Sequence, residues 1–106
     1  AAATTSEQLV RDPDNAQRIF DHAQSVFWVG YIAWQRGDHV KAKEQFTDYH
    51  RHATRLVEID PQNDDWQAEL EYAYSNLGTL AMDEGQAEEA EGWFRKSLAV
   101  SLNRLS

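Results

Sequence analysis

Four histidines are the residues of this chain best suited to binding a metal ion. His50 and His52 are two residues apart, which on a helix turns their side chains to different sides, whereas ligand pairs favour a spacing of three or four. His22 and His39 have no histidine or carboxylate at a spacing typical of a ligand pair. The histidine spacing therefore predicts no metal site.

Adjacent carboxylates are the other candidates for chemistry. Asp64 with Asp65, and Glu88 with Glu89, stand where helices are expected to begin, and the helix dipole favours negative charge there. The chain has no cysteine, no glycine-rich phosphate loop, and no serine, histidine and aspartate set with a structural reason to converge. The sequence therefore predicts no catalytic residue, no cofactor and no enzyme activity.

Length and charge narrow the classes of partner. The chain has 106 residues, with 10 Lys and Arg against 18 Asp and Glu, and its net charge is −8. This balance argues against a nucleic-acid or membrane-surface partner, both of which require a basic face. The longest near-apolar run, Val26 to Trp34, is less than half of the roughly 20 residues that span a bilayer. With no export signal in the sequence, we expect a cytoplasmic location.

An internal repeat organises the elements that position these residues. Residues 12–15, Asp-Pro-Asp-Asn, return at 60–63 as Asp-Pro-Gln-Asn, an offset of 48. The same offset relates five identical pairs: Gly30 and Gly78, Ala33 and Ala81, Gly37 and Gly85, Ala42 and Ala90, Phe46 and Phe94. The chain therefore divides into unit 1 (12–59) and unit 2 (60–106), with residues 1–11 as a linker or the tail of a preceding helix.

Each unit reads as two long helices, at about 13–36 and 38–59 in unit 1 and about 64–84 and 87–106 in unit 2. Asn15 is a candidate N-cap, and Gly37 is placed to end the first helix. Apolar residues at three- and four-residue spacing give each helix one buried stripe. The four stripes are Ala16, Ile19, Ala23, Val26, Gly30 and Ala33; Ala42, Phe46, Tyr49, Ala53 and Leu56; Leu70, Tyr74, Leu77 and Ala81; and Ala90, Phe94, Leu98, Leu102 and Leu105. The predicted fold is all-α, built from antiparallel helix-turn-helix repeats.

The repeated positions resemble those of the tetratricopeptide repeat family. The matching residues are Val26, Val29-Gly30, Ala33, Gly37-Asp38, Ala42 and Phe46 in unit 1, and Tyr74, Leu77-Gly78, Ala81, Gly85, Ala90 and Phe94 in unit 2. The usual repeat has 34 residues, so this one is 14 longer, which adds about two turns to each helix without changing the apolar face. The resemblance implies a fragment of an α-solenoid, similar to long-helix arrays in large bacterial regulatory proteins. Gly30 and Gly78 are expected to let the paired helices approach closely.

In the resembled family, the first helix of each unit lines a concave groove that binds a peptide. Transferred by position, the candidate peptide-binding residues are Gln24, Phe27, Trp28, Tyr31 and Trp34 from unit 1, and Tyr72, Asn76, Thr79 and Asp83 from unit 2. The spacing of Phe27, Tyr31 and Trp34 forms one aromatic stripe, as a peptide-binding surface requires. The alternative is that this stripe packs on the first helix of a missing neighbouring unit, or on its own long partner helix, and does not line a groove. Family members that grip a C-terminal carboxylate use paired Lys, Arg and Asn, of which only Asn76 has a match here. Phe27 and Tyr31 stand where the cationic and amide groups would be needed, so that function is disfavoured.

Charge is unevenly distributed between the units. Residues 58–91 contain 11 acidic residues and no Lys or Arg, whereas the rest of the chain carries 7 acidic and 10 basic residues. Such a block could attract a basic peptide. The alternative is a solvated face partly neutralised by the adjacent helix, through Lys41, Lys43, Arg51 and Arg55.

Taken together, these patterns predict a non-catalytic protein- or peptide-binding scaffold domain of a larger protein. The competing hypothesis is a structural spacer or self-association module that positions an effector domain for signalling or transcription regulation. Repeat arrays generally need about three units and capped ends, so we expect a truncated array. Its apolar end faces, including Trp93, Leu98 and Leu102, are expected to be covered by a neighbouring copy, which makes a homodimer through the array ends possible.

Overall fold

The computed structural model describes residues 13–106, and the predicted tail at 1–11 lies outside them. The described part of the chain is all-α, as predicted: α1 is Pro13–Gln35, α2 is His39–Ile59, α3 is Asp64–Asp83 and α4 is Ala87–Leu105. Each helix packs against the next one, α1 on α2, α2 on α3 and α3 on α4. The connections have only three or four residues, which forces antiparallel neighbours.

Capping residues explain where the helices begin and end. Gly37 and Gly85 have φ of 79° and 75°, a conformation that disfavours side chains with a Cβ. Each closes a Schellman motif, in which the N–H of Asp38 donates to the carbonyl of Ala33 and that of Gln86 to the carbonyl of Ala81.

The residues at the starts of the helices show that one sequence prediction was wrong. Asp38 and Asn63 cap α2 and α3 by accepting hydrogen bonds from the backbone N–H groups of Lys41 and Trp66. Asn15 lies inside α1, so its prediction as an N-cap is wrong. The acidic pairs Asp64-Asp65 and Glu88-Glu89 stand in the first turns of α3 and α4, as expected.

The core is formed by two buried clusters, and each draws on α1, α2 and α3. One contains Ala23, Val26, Tyr49, Ala53, Leu70 and Ala73, and the other contains Ala33, Ala42, Phe46, Leu77 and Leu80. The contact between the units is therefore continuous with the contact inside unit 1. The predicted stripe of α2 is wholly buried.

The predicted stripe of α4 is only partly correct. Ala90 is buried, but Phe94, Leu98, Leu102 and Leu105 are exposed. Besides Ala90, the buried residue of α4 is Ser97, whose hydroxyl lies 2.8 Å from that of Ser75 and donates to the Glu71 carbonyl at 3.1 Å. Unit 1 has Tyr49 at the corresponding position, so unit 2 fills the equivalent space with a smaller, polar residue.

Within residues 13–106, no helix combines the length and apolarity needed to cross a membrane.

The two glycines within the first helices lie at close helix contacts, as predicted, and the side chain that meets each of them is a phenylalanine. A Cβ on Gly30 would lie 2.9 Å from the ring of Phe46 and 3.0 Å from the Cβ of Gln45. A Cβ on Gly78 would lie 2.8 Å from the ring of Phe94. All three distances are shorter than van der Waals contact, so the interhelical spacing depends on glycine.

We expect Gly30→Ala to lower the free energy of unfolding by about 1–2 kcal/mol, because Phe46 is buried and its ring cannot move away. Gly78→Ala should cost less, since the half-exposed ring of Phe94 can rotate outward. Urea denaturation followed by far-UV circular dichroism measures both changes.

Gly92→Ala is the matched control, since Gly92 lies within α4 and a Cβ there meets no atom within 4 Å. It should raise the free energy of unfolding by about 0.5–1 kcal/mol through helix propensity alone. A Gly30→Ala variant as stable as Gly92→Ala would show that the close crossing of α1 and α2 is not required.

Candidate functional site

The nine candidate peptide-binding residues lie on two neighbouring helices, five on α1 and four on α3. Three side-chain contacts join these helices along their length. The rings of Phe20 and Trp66 lie 5.3 Å apart, and the Trp34 indole donates to Asp83 near the other end. Between them, the amide of Gln24 donates to Glu69. The surface between these contacts is called the α1–α3 groove below; its residues are Gln24, Phe27, Tyr31 and Trp34 on α1, and Glu69, Tyr72, Asn76 and Asp83 on α3.

The aromatic residues of α1 form one continuous series of ring contacts. Phe27 stacks on Tyr31 with 6.0 Å between ring centroids, and Tyr31 lies 5.8 Å from Trp34. Trp28 meets Tyr31 edge-on at 5.8 Å, and more than half of its surface is exposed. The spacing in the sequence thus correctly places these rings side by side.

Phe27 also belongs to the core. Its ring centroid is 5.4 Å from that of Tyr49 and 6.5 Å from that of Phe46, and it packs against both buried clusters. The contacts of Phe27 therefore fit the alternative hypothesis, in which the aromatic stripe packs on its partner helix, here α2. Its ring forms the floor of the groove while Trp28 and Tyr72 remain exposed at the surface.

A pocket of about 280 Å³ opens in the groove. It is lined by Gln24, Phe27, Tyr49, Glu69, Tyr72 and Asn76. Four of these six are predicted site residues, whereas Tyr49 and Glu69 were not among them. Glu69 lies three and seven residues before Tyr72 and Asn76, so helical periodicity places it on their face and could have found it.

Glu69 organises the pocket, because one of its oxygens accepts two hydrogen bonds from different helices. The Tyr49 hydroxyl donates to Oε1 of Glu69 at 2.8 Å, and the amide of Gln24 donates to the same oxygen. Tyr49 is almost wholly buried. Burial, together with the hydrogen bond to Glu69, raises the pKa of Tyr49 well above its usual value, so the hydroxyl keeps its proton and remains a donor.

Asn76 leaves one hydrogen-bond donor unused in the described structure. Its Nδ2 is buried and meets no acceptor among residues 13–106. A buried polar group without a partner costs about 1–3 kcal/mol. Because Asn76 lines the pocket, an acceptor atom of a ligand in the pocket is the natural partner for this amide.

The remaining predicted residues lie beyond the pocket. Tyr31, Trp34 and Asp83 continue the groove toward the ends of α1 and α3, and Thr79 is exposed on α3. The groove thus contains seven of the nine predicted residues, without Trp28 and Thr79, and only Gln24, Phe27, Tyr72 and Asn76 share a pocket.

Arginines neutralise part of the acidic block outside the groove. Arg104 pairs with Asp64 at 2.9 Å and with Glu71 at 3.2 Å. Arg55 lies 3.6 Å from Glu58, and Arg95 pairs with Glu91. Arg51, which was expected to screen the block, pairs instead with Asp48. In the groove, Glu69 and Asp83 accept hydrogen bonds from neutral donors, so their negative charge stays directed at this surface.

A second arrangement of ionisable residues lies where α1 packs on α2. One ligand atom from each of His22, Asp48 and His52 falls within 4.8 Å of the others. Desolvation lowers the pKa of His52, although Asp48 acts in the opposite direction. The histidine spacing alone missed this group, but Asp48 and His52 are four residues apart, and that spacing could have revealed it.

The other two histidines lie elsewhere. His50 contacts the rings of Tyr74 and Trp93, and its pKa is lowered by burial and by the nearby Lys96. His39 is the first residue of α2 and borders a wider depression of about 620 Å³. That depression is lined by exposed side chains, including Val40, Lys43 and Glu44, and it contains none of the predicted binding residues.

Comparisons of the chain with family models, with curated proteins and with solved structures find no match. The function is therefore inferred from the geometry of the groove.

We expect Tyr49→Phe to lower the free energy of unfolding by about 1.5–3 kcal/mol, because it removes a buried donor to a carboxylate. Urea denaturation provides the measurement, with Tyr72→Phe as the control, since more than half of Tyr72 is exposed and its hydroxyl is not in this network. Equal stability of the two variants would contradict the role given to Glu69 as an organising acceptor.

Proposed function

We propose that this chain is a tetratricopeptide-like scaffold domain that binds an extended peptide in the α1–α3 groove and has no chemistry or cofactor of its own. One observation carries the proposal, namely the unpaired buried amide of Asn76 inside a pocket whose rim is exposed aromatic surface. The proposed setting is a larger cytoplasmic protein.

The pocket suits a peptide because it combines the two kinds of contact that a peptide makes. A backbone carbonyl of the ligand would accept the hydrogen bond that Asn76 can donate. Tyr72 lines the pocket and exposes a large aromatic surface, and such residues commonly anchor protein contacts. Trp28 lies outside the pocket, exposed beside Tyr31 of the groove. The helices beneath are fixed by the core, so little ordering accompanies binding.

The charge of the groove favours a basic ligand. Glu69 lies in the pocket, and Asp83 lies farther along the same surface. A Lys or Arg side chain that enters the pocket would approach the Glu69 carboxylate in a partly desolvated setting. The excess of acidic residues around the groove would also accelerate the encounter with a basic peptide.

A peptide-display library selected on the full chain should yield a consensus that contains Lys or Arg. Binding of the synthetic consensus peptide, measured by fluorescence polarisation, should weaken about ten-fold or more in Tyr72→Ala, Asn76→Ala and Glu69→Gln. Raising the salt concentration should weaken binding to the wild type more than to Glu69→Gln.

Val40→Ala is the control, because Val40 is a large exposed apolar residue in the wider depression and outside the groove. It should bind the consensus peptide as the wild type does. Loss of binding in Val40→Ala with full binding in Tyr72→Ala would move the site to the depression and contradict the groove.

A second candidate function, self-association, is favoured by the exposure of the two end faces. Leu77 and Leu80 of α3 are 6% and 2% exposed, because they pack in a cluster with residues of α2. Their counterparts 48 residues earlier, Val29 and Ile32 of α1, are 41% and 46% exposed. The face of α1 that corresponds to the buried interface of unit 2 is therefore open in the described structure.

The outer face of α4 shows the complementary exposure. Leu98 and Leu105 correspond by the same offset to His50 and Val57 of α2, which contact unit 2 or the shared core. Both leucines are more than half exposed. We propose a second copy of the chain as the partner, with its α1 on this face as α3 lies on α2. This contact is heterologous, so it joins copies head to tail.

Analytical ultracentrifugation of the full chain should show concentration-dependent association that Ile32→Glu and Leu98→Glu each abolish, since each blocks one end. Mixing the two variants should give a one-to-one dimer, because each retains one intact end. Val40→Glu should associate as the wild type does. A dimer formed by Ile32→Glu alone would show a symmetric contact and contradict the head-to-tail proposal.

A further inference from the structure

Three residues on the contact between α1 and α2 have the chemistry of a metal site. His22 comes from α1, while Asp48 and His52 come from α2. Two imidazoles and one carboxylate form a ligand set that zinc and other divalent transition metals take in proteins. We refer to these three residues as the His22 cluster.

The core positions the cluster. Ala23 and Ala53 follow His22 and His52 in the sequence, and both alanines are fully buried in the same apolar cluster. Small residues at these positions let the two helices approach closely. The histidines beside them consequently meet edge to face, with 4.8 Å between ring centroids.

Distances within the cluster are close to those of a metal site. Bonds of about 2.0–2.1 Å to zinc place two ligand atoms of a tetrahedron about 3.3–3.4 Å apart. The distance from Nε2 of His52 to Oδ2 of Asp48 is 3.5 Å. Since His22 is exposed, its side chain can rotate the remaining distance toward the other two.

Two further observations indicate that the cluster has unused capacity for a ligand. Nε2 of His52 is buried and makes no hydrogen bond within the described residues. Oδ1 of Asp48 accepts a hydrogen bond from the Arg51 guanidinium, and Oδ2 of Asp48 lies toward His52. Arg51 therefore holds the carboxylate from its far side, as outer-shell partners of metal ligands commonly do.

We propose that His22, Asp48 and His52 bind one zinc(II) ion, with water in the remaining position. The site is separate from the α1–α3 groove and is open to solvent through His22, which provides an entry path. An ion held by both helices would tie α1 to α2, and because the site does not exist in the unfolded chain, binding would stabilise the fold.

Isothermal titration of the full, chelator-treated chain with zinc chloride tests the proposal. We expect one ion per chain, and affinity about ten-fold lower or worse in His22→Gln, Asp48→Asn and His52→Gln. Zinc should raise the Tm of the wild type and leave that of His22→Gln unchanged. His22 is exposed, so its variant keeps the fold, and circular dichroism verifies this.

His39→Gln is the matched control, since it removes one histidine outside the cluster, and it should bind zinc as the wild type does. NMR spectra of the imidazole nitrogens should show zinc-induced shifts at His22 and His52 but not at His39. Undiminished affinity in a folded His22→Gln variant, or equal losses in His22→Gln and His39→Gln, would overturn the proposal.

Discussion

The close crossing of α1 and α2 at Gly30 is the contact on which the rest of the structure depends. The ring of Phe46 occupies the space where a Cβ would stand, so the two helix axes lie nearer than ordinary side chains permit. Phe46 then continues into the cluster that receives Leu77 and Leu80 of α3. The ring of Phe46 therefore determines both the distance between α1 and α2 and the place where α3 packs on unit 1.

The distance between α1 and α2 explains how the Glu69 carboxylate can accept hydrogen bonds from both of these helices. Tyr49 is one turn beyond Phe46 on α2, and it is buried except where its hydroxyl reaches Glu69. Gln24 reaches the same carboxylate from α1. An acidic group in such a place requires donors, and the fixed helices provide them without a compensating cation. The groove consequently retains its negative charge, whereas the carboxylates of Asp64 and Glu71 are paired with Arg104.

Local patterns in the sequence determine most of the fold. The 48-residue offset, the glycines at the helix ends and the apolar spacing predict four helices within a few residues of their bounds in the described chain. The same patterns misplace the stripe of α4, because periodicity identifies an apolar face without indicating what covers it. Phe94 and Leu98 are spaced like residues of a buried stripe, but their side chains are exposed.

Contacts between helices explain what the sequence could not predict at the candidate sites. Tyr49 follows the pattern of a core residue, and only the packing of α2 against α3 shows that its hydroxyl meets Glu69. His22 is 30 residues from His52, so no spacing within one helix predicts that they meet. Asp48 and His52 are four residues apart, and that spacing does predict their contact.

The two proposed sites share a segment of α2. Asp48 belongs to the His22 cluster, while the hydroxyl of the adjacent Tyr49 donates to Glu69 in the groove. A ligand that draws His22 toward Asp48 acts on the same turn of helix that holds the Tyr49 hydroxyl. Because closely packed cores transmit strain, we expect a change in the distance between α1 and α2 at one site to shift side chains at the other. The separation of α1 from α2 is thus the variable through which ion binding and peptide binding would influence each other.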